Sequence, residues 1–167
     1  MSIVFRTGIV AFAAEAVTGS AVGARTGFSG NVCGLLTAKQ VTAIPGMTST
    51  CKKQPQTVGP LGSTDYEAIW RGAPTESFQV TVEVYGDRNA LARAKRNLNQ
   101  GLLGTATRLK GVGDLAYESK AAMGVDINVA VGKDIAIIVL TDVRKPPSSP
   151  AEIVPVTKAI VALLKSA

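Results

Sequence analysis

Apolar and polar residues alternate most regularly between Leu115 and Val143. Val125, Ile127, Val129 and Val131 are separated by Asp126, Asn128 and Ala130, the period of two that sets one face of a strand against a core. Gly132-Lys133-Asp134 then turns the chain, with glycine where a tight hairpin needs positive φ. Ile135 to Leu140 is almost wholly apolar, as expected of a central strand covered on both faces. This hairpin is the element around which the fold is expected to form. Ile137, in the middle of the run, is expected in the core, with Ile160 as its contact from a covering helix.

The same period recurs upstream. Between Ser77 and Tyr85, Phe78, Val80, Val82 and Val84 fall on one side and Gln79, Thr81 and Glu83 on the other. A partner strand is predicted over Tyr66 to Arg71, joined through the break Gly72-Ala73-Pro74. Trp70 in that strand is read as a core or sheet-edge residue. Helical spacing appears after Asp87, a good N-cap, where Ala90, Leu91, Ala94 and Leu98 form a stripe in a helix running to about Asn99. The C-terminal helix is announced by Ser149-Pro150-Ala151-Glu152, which supplies an N-cap, a proline at the first position and a glutamate at the third. Its stripe is Ile153, Val156, Ile160, Val161 and Leu164, and Pro155 is expected in its second turn, costing a backbone hydrogen bond. Thr37-Ala38-Lys39-Gln40 fits a capping box for a short helix that would bury Val41 and Ile44 before Pro45-Gly46 ends it. Residues 52–64, rich in Gln, Pro, Gly, Ser and Thr, read as an exposed loop. Together these elements predict one α+β domain over 33–167: an antiparallel sheet of about five strands, two main helices packed on it, and a short N-terminal helix.

Composition narrows the chemistry. The chain has 167 residues and no histidine, which removes the commonest general base and the commonest metal ligand. Its net charge of +6 permits contact with an anionic surface, a membrane surface included. Arg88, Arg93, Lys95 and Arg96 lie on the polar face of the 87–99 helix, and Arg108 follows shortly after, which makes a candidate anion or partner surface. No aromatic residue interleaves with these charges, which argues against a nucleic-acid interface and for a solvated helix face.

Residues 1–24 have the layout of an export signal: Arg6, an apolar stretch, then small residues ending at Val22 and Ala24, although Glu15 interrupts the run. Residues 25–32 follow as a linker. No apolar run is long enough for a transmembrane helix in the mature chain. Cys33 and Cys51 are the two cysteines of the sequence. In an exported protein they imply one disulfide, and in a cytosolic one a pair of buried thiols. A zinc site is disfavoured, since two cysteines without histidine fill half a tetrahedral shell.

Two motif matches fail on context. Gly111-Val112-Gly113-Asp114-Leu115-Ala116 has the dinucleotide-binding spacing but opens a strand instead of a helix, and is read as a glycine turn that aims the sheet. Ser49 and Lys52 form a lone S-x-x-K without companion motifs. No catalytic residue, metal ligand or cofactor is therefore assigned.

Cys33-Gly34-Leu35-Leu36-Thr37, the second cysteine at 51, the aromatic strand around Trp70, Gly111 to Tyr117, two long strands and a terminal helix resemble the exported actinobacterial cell-envelope proteins grouped as a domain of unknown function. Many of these are lipoproteins, and the resemblance spans about residues 33–167. It implies an extracytoplasmic location, a disulfide and an α+β sandwich, with no defined catalytic residues. This chain lacks a cysteine preceded by a small-residue lipidation box. The expected function is a non-catalytic envelope module binding a small ligand or an envelope protein. The alternatives are an envelope hydrolase without histidine and a weak polyanion binder using the basic helix.

Overall fold

The protein is described by a computed structural model over residues 28–100, 105–142 and 149–166. The expected export signal, and residues 25–27 of the linker, lie outside the described residues. The rest of the linker packs down: the Phe28 ring meets Tyr66 edge to face at 5.6 Å, and Val32 is fully buried.

The sheet has eight strands, not about five. They are β1 (Cys51–Lys53), β2 (Thr57–Val58), β3 (Thr64–Arg71), β4 (Glu76–Val84), β5 (Thr107–Leu109), β6 (Leu115–Ala121), β7 (Gly124–Val131) and β8 (Asp134–Asp142). Their order is β1-β3-β4-β8-β7-β6-β5, with β2 also beside β3, and every pairing is antiparallel. The five long strands are legible in the sequence: β4 and β7 by alternation, β8 by its apolar run, β3 as the partner expected before Gly72, and β6 as the strand the glycine turn opens. The other three are edge pieces of two or three residues, too short to display a period, and two of them fall in the stretch read as a loop.

The helices are α1 (Ala38–Thr42), α2 (Arg88–Asn97) and α3 (Val154–Ser166). Thr37 and Gln40 make the expected capping box on α1, and Val41 and Ile44 are buried. Asp87 caps α2 by accepting the Asn89 N–H at 2.8 Å. The box at Ser149 and Glu152 caps a 3-10 turn, Pro150–Glu152, and α3 begins only after it. Pro155 therefore sits in the first turn of α3, where its missing N–H has no intrahelical carbonyl to lose, and the expected penalty does not arise.

Pairing register divides the sheet into two faces. Trp70, Phe78, Leu140 and Val125 align across β3, β4, β8 and β7, and Ala68, Val80, Ile138 and Ile127 align beside them. This face is the main core, closed by Ile153, Val156, Ile160 and Leu164 from the C-terminal segment and by Val32, Leu35, Val41 and Ile44 from the N-terminal one. The opposite face carries Thr81, Ile137, Asn128 and Tyr117 in one row and Glu83, Ile135, Ala130 and Leu115 in the next. There α2 lays down Ala90 and Ala94, and Leu98 follows from the 3-10 turn after the helix. β8 is thus the covered central strand the apolar run predicts, but Ile137 points away from Ile160. Ile138 occupies the place expected of Ile137. A run that is apolar at every position carries no parity, so the sequence does not tell the two faces apart.

The hairpin turn is Gly132-Lys133, with Gly132 at φ 58° in the first central position. Gly113, at φ 61°, brings the chain into β6 so closely that a Cβ would run into Val129 and the Ala130 carbonyl. Asp114 then donates its N–H to Ala130 O at 2.9 Å and accepts the Gly132 N–H on Oδ2 at 2.7 Å. The glycine turn thus fixes β6 against the hairpin, as its spacing suggests.

Cys33 and Cys51 form a disulfide with their Cα atoms 5.9 Å apart. It joins the 3-10 turn Val32–Leu35 to edge strand β1.

Asp134 opens β8 in a buried position, and its Oδ1 has no hydrogen-bond partner among the described residues. Burial raises its pKa above the ordinary carboxylate value, with Lys133 opposing. The folded state then holds this proton more tightly than the unfolded chain. Its contribution to stability is accordingly lost as pH rises from the ordinary value of 3.8 through the folded pKa. Asp134→Asn is expected to raise the urea midpoint at pH 7 and to leave it nearly unchanged at about pH 3, below the unfolded value. A lower midpoint at pH 7 would show that the charge is compensated.

Candidate functional site

The end of β4 and the residue after it place two polar side chains, Glu83 and Tyr85, on the α2 face. Glu83 pairs in register with Asp65 on one side and Ile135 on the other. Tyr85, two residues on, falls on the same side, and its hydroxyl donates to Glu83 Oε2 at 2.8 Å. The helix above contributes Ala94 where a longer side chain would reach the sheet. What remains is a cavity of about 350 Å³ between α2 and the sheet, within the roughly 300–1,000 Å³ usual for small-molecule sites. Ile135 and Ile137 form its floor, and Ala94 and Leu98 its roof. Leu61 closes one side from the turn before β3, and Pro60, Asn97 and Gln100 stand exposed around the rim.

Three polar groups reach the interior: Glu83, Tyr85 and Asn128. Burial pushes the Glu83 carboxyl above the ordinary range; the Tyr85 hydrogen bond opposes this, and the nearby Asp65 charge adds to it. Burial also raises the Tyr85 phenol, as do its bond to Glu83 and that residue's charge, so Tyr85 stays protonated and acts as a donor to Glu83. Asn128 spends an amide N–H on Asp126 Oδ2 at 2.6 Å, and Asp126 also accepts the Ser119 hydroxyl. That arrangement fixes the amide orientation and leaves Asn128 Oδ1 as an acceptor. Asp65 is itself engaged by the Ser63 hydroxyl and does not line the cavity.

Glu83 is thus the carboxylate of the cavity lining among the described residues, and the neighbouring Asp65, which pairs with it in register, lies outside that lining. Among the described residues, no group of three or more His, Cys, Asp or Glu is placed to hold a metal.

The basic residues singled out from the sequence lie elsewhere. Arg88, Arg93 and Arg96 are exposed on α2, and none forms an ion pair with a described carboxylate. Lys95 is half-buried instead, its Nζ donating to Gly132 O at 2.8 Å, so it latches α2 to the central hairpin. Arg108 pairs in register with Tyr117 and so belongs to the same side of the sheet as α2. None of the five lines the cavity. Glu83, Tyr85 and Asn128 escaped the sequence reading because each sits at an outward position of an alternating strand. The signal lay in the α2 stripe: a helix directly after β4 must cover some sheet face, and Glu83 is on the face left open.

The chain matches no family model, and neither the curated proteins nor the solved structures include a significant match to it.

Proposed function

We propose that the protein is a non-catalytic, extracytoplasmic binding module of the cell envelope that takes a small, largely apolar ligand between α2 and the sheet. The cavity carries this reading: an apolar floor and roof with few inward polar groups is the usual composition of a small-molecule site. The Cys33–Cys51 disulfide is of the kind that persists in oxidising compartments, which supports export, as does the resemblance to exported actinobacterial envelope proteins. Among the described residues no helix is long and apolar enough to cross a membrane. The exposed arginines of α2 would add a salt-sensitive attraction to anionic envelope polymers or headgroups, outside the cavity.

Titration with 2-phenylethanol, followed through the methyl resonances of Ile135 and Ile137, tests the reading. Saturable shifts at these methyls are expected, and Ala94→Leu, which fills the roof, is expected to abolish them while the fold is retained. Absent shifts, or shifts that persist in the folded Ala94→Leu protein, would remove the cavity as the binding site.

A further inference from the structure

We infer that the cavity's ligand is an amphipathic amine, its apolar body lying on Ile135 and Ile137 and its protonated nitrogen directed at Glu83. The inference rests on the cavity being the ligand site, and it follows from the hydrogen-bonding character of the interior.

The groups facing inward are chiefly acceptors. Glu83 Oε2 receives the Tyr85 hydroxyl, which leaves Oε1 open to a ligand donor and leaves Tyr85 no proton to offer a ligand. Asn128 has one of its two amide N–H bonds committed to Asp126 and presents Oδ1 as an acceptor. An anionic ligand would meet the Glu83 carboxylate with one amide N–H of Asn128 as its interior donor, and the Asp65 carboxylate stands beside Glu83 in register. A bare metal ion would find one carboxylate, one phenol and one amide oxygen in the interior, short of the roughly six or more oxygens that calcium or magnesium takes. A neutral apolar molecule would fill the volume but would leave a half-buried carboxylate with a single neutral donor, and such groups are costly to leave undersatisfied. An ammonium group answers both needs, since its N–H bonds are charge-assisted and its charge offsets that of Glu83. Asn97 and Gln100, exposed at the rim, supply no fixed charge to oppose its entry.

Three probes with the same phenylethyl body separate this inference from the reading beneath it: 2-phenylethylamine, 2-phenylethanol and 3-phenylpropanoate, titrated at pH 7 by calorimetry and by the Ile135 and Ile137 methyl shifts. The amine is expected to bind at least tenfold more tightly than the alcohol, and the carboxylate not to bind. In Glu83→Gln the preference for the amine over the alcohol is expected to disappear. Tyr85→Phe keeps the carboxylate and frees Oε2, so it is expected to preserve or widen the preference for amine. It also serves if Glu83→Gln does not fold. Equal affinities of amine and alcohol in the unmodified protein would overturn the amine while leaving the cavity as the site. So would an amine preference that survives Glu83→Gln or vanishes in Tyr85→Phe. Failure of both neutral and cationic probes to shift the methyls would overturn the binding-site reading itself.

Discussion

Replacing Ile138 with alanine is expected to lower stability by about 2–5 kcal/mol, the range for removing a buried isoleucine from a packed core. Ile138 is fully buried on the face where α3 lies, in the same cluster as Ile127, Val80 and Ile160. Rigid strands on either side leave little room for collapse around the missing atoms. Ile137→Ala, one residue away, removes the same carbons from a half-buried position over a cavity that already exists. Its loss is expected near about 1 kcal/mol, the centre of the distribution for single substitutions. Urea midpoints of the two variants at constant m-value measure the difference. Equal losses, or a larger loss at Ile137, would mean that the α2 side of the sheet and not the α3 side is the principal core.

The second large effect is expected from the disulfide. Reduction, or Cys33→Ala with Cys51→Ala, is expected to lower stability by about 3 kcal/mol, the chain-entropy value for a crosslink between residues 18 apart in sequence. The turn it holds carries Val32 and Leu35 into the core, so its release also weakens the cover over Trp70 and Phe78. Urea unfolding with and without reductant is the measurement. An unchanged midpoint would show that the N-terminal segment is held by packing alone.

The parts of this fold that were legible in the sequence are those in which one physical constraint dominates. Alternation marks β4 and β7 because each sets a mostly apolar face on the main core against more polar positions. Capping chemistry is local, so Thr37, Asp87 and Ser149 mark their helical starts without reference to the rest of the chain. The pair Cys33 and Cys51 was legible as one of two states, and the structure has the oxidised one. Elements decided by distant partners stayed hidden. β1 and β2 exist because β3 offers them an edge, and nothing within Cys51–Lys53 or Thr57–Val58 requires a strand. The side on which Ile137 lies depends on registers with β4 and β7, which an unbroken apolar run does not encode. The cavity was the least legible feature, because it depends on where α2 lands and on alanine, not leucine, facing Ile135 and Ile137.

The short edge strands have a consequence for how copies of this chain meet. A sheet this apolar would offer a template to other strands wherever a long, flat margin was open to them. Here one margin ends in Lys52 and Lys53 of β1 and the two residues of β2, and the other in the Thr107–Leu109 segment with Arg108 exposed. Charges at both ends repel an approaching identical edge, and two or three residues give it too few backbone groups to bind. The hairpin of β7 and β8, the segment best suited to stacking, is held inside the sheet, with β6 and β5 on one side and β4, β3 and β1 on the other. Protection against fibril-like association is thus built into the same three fragments that alternation could not foresee.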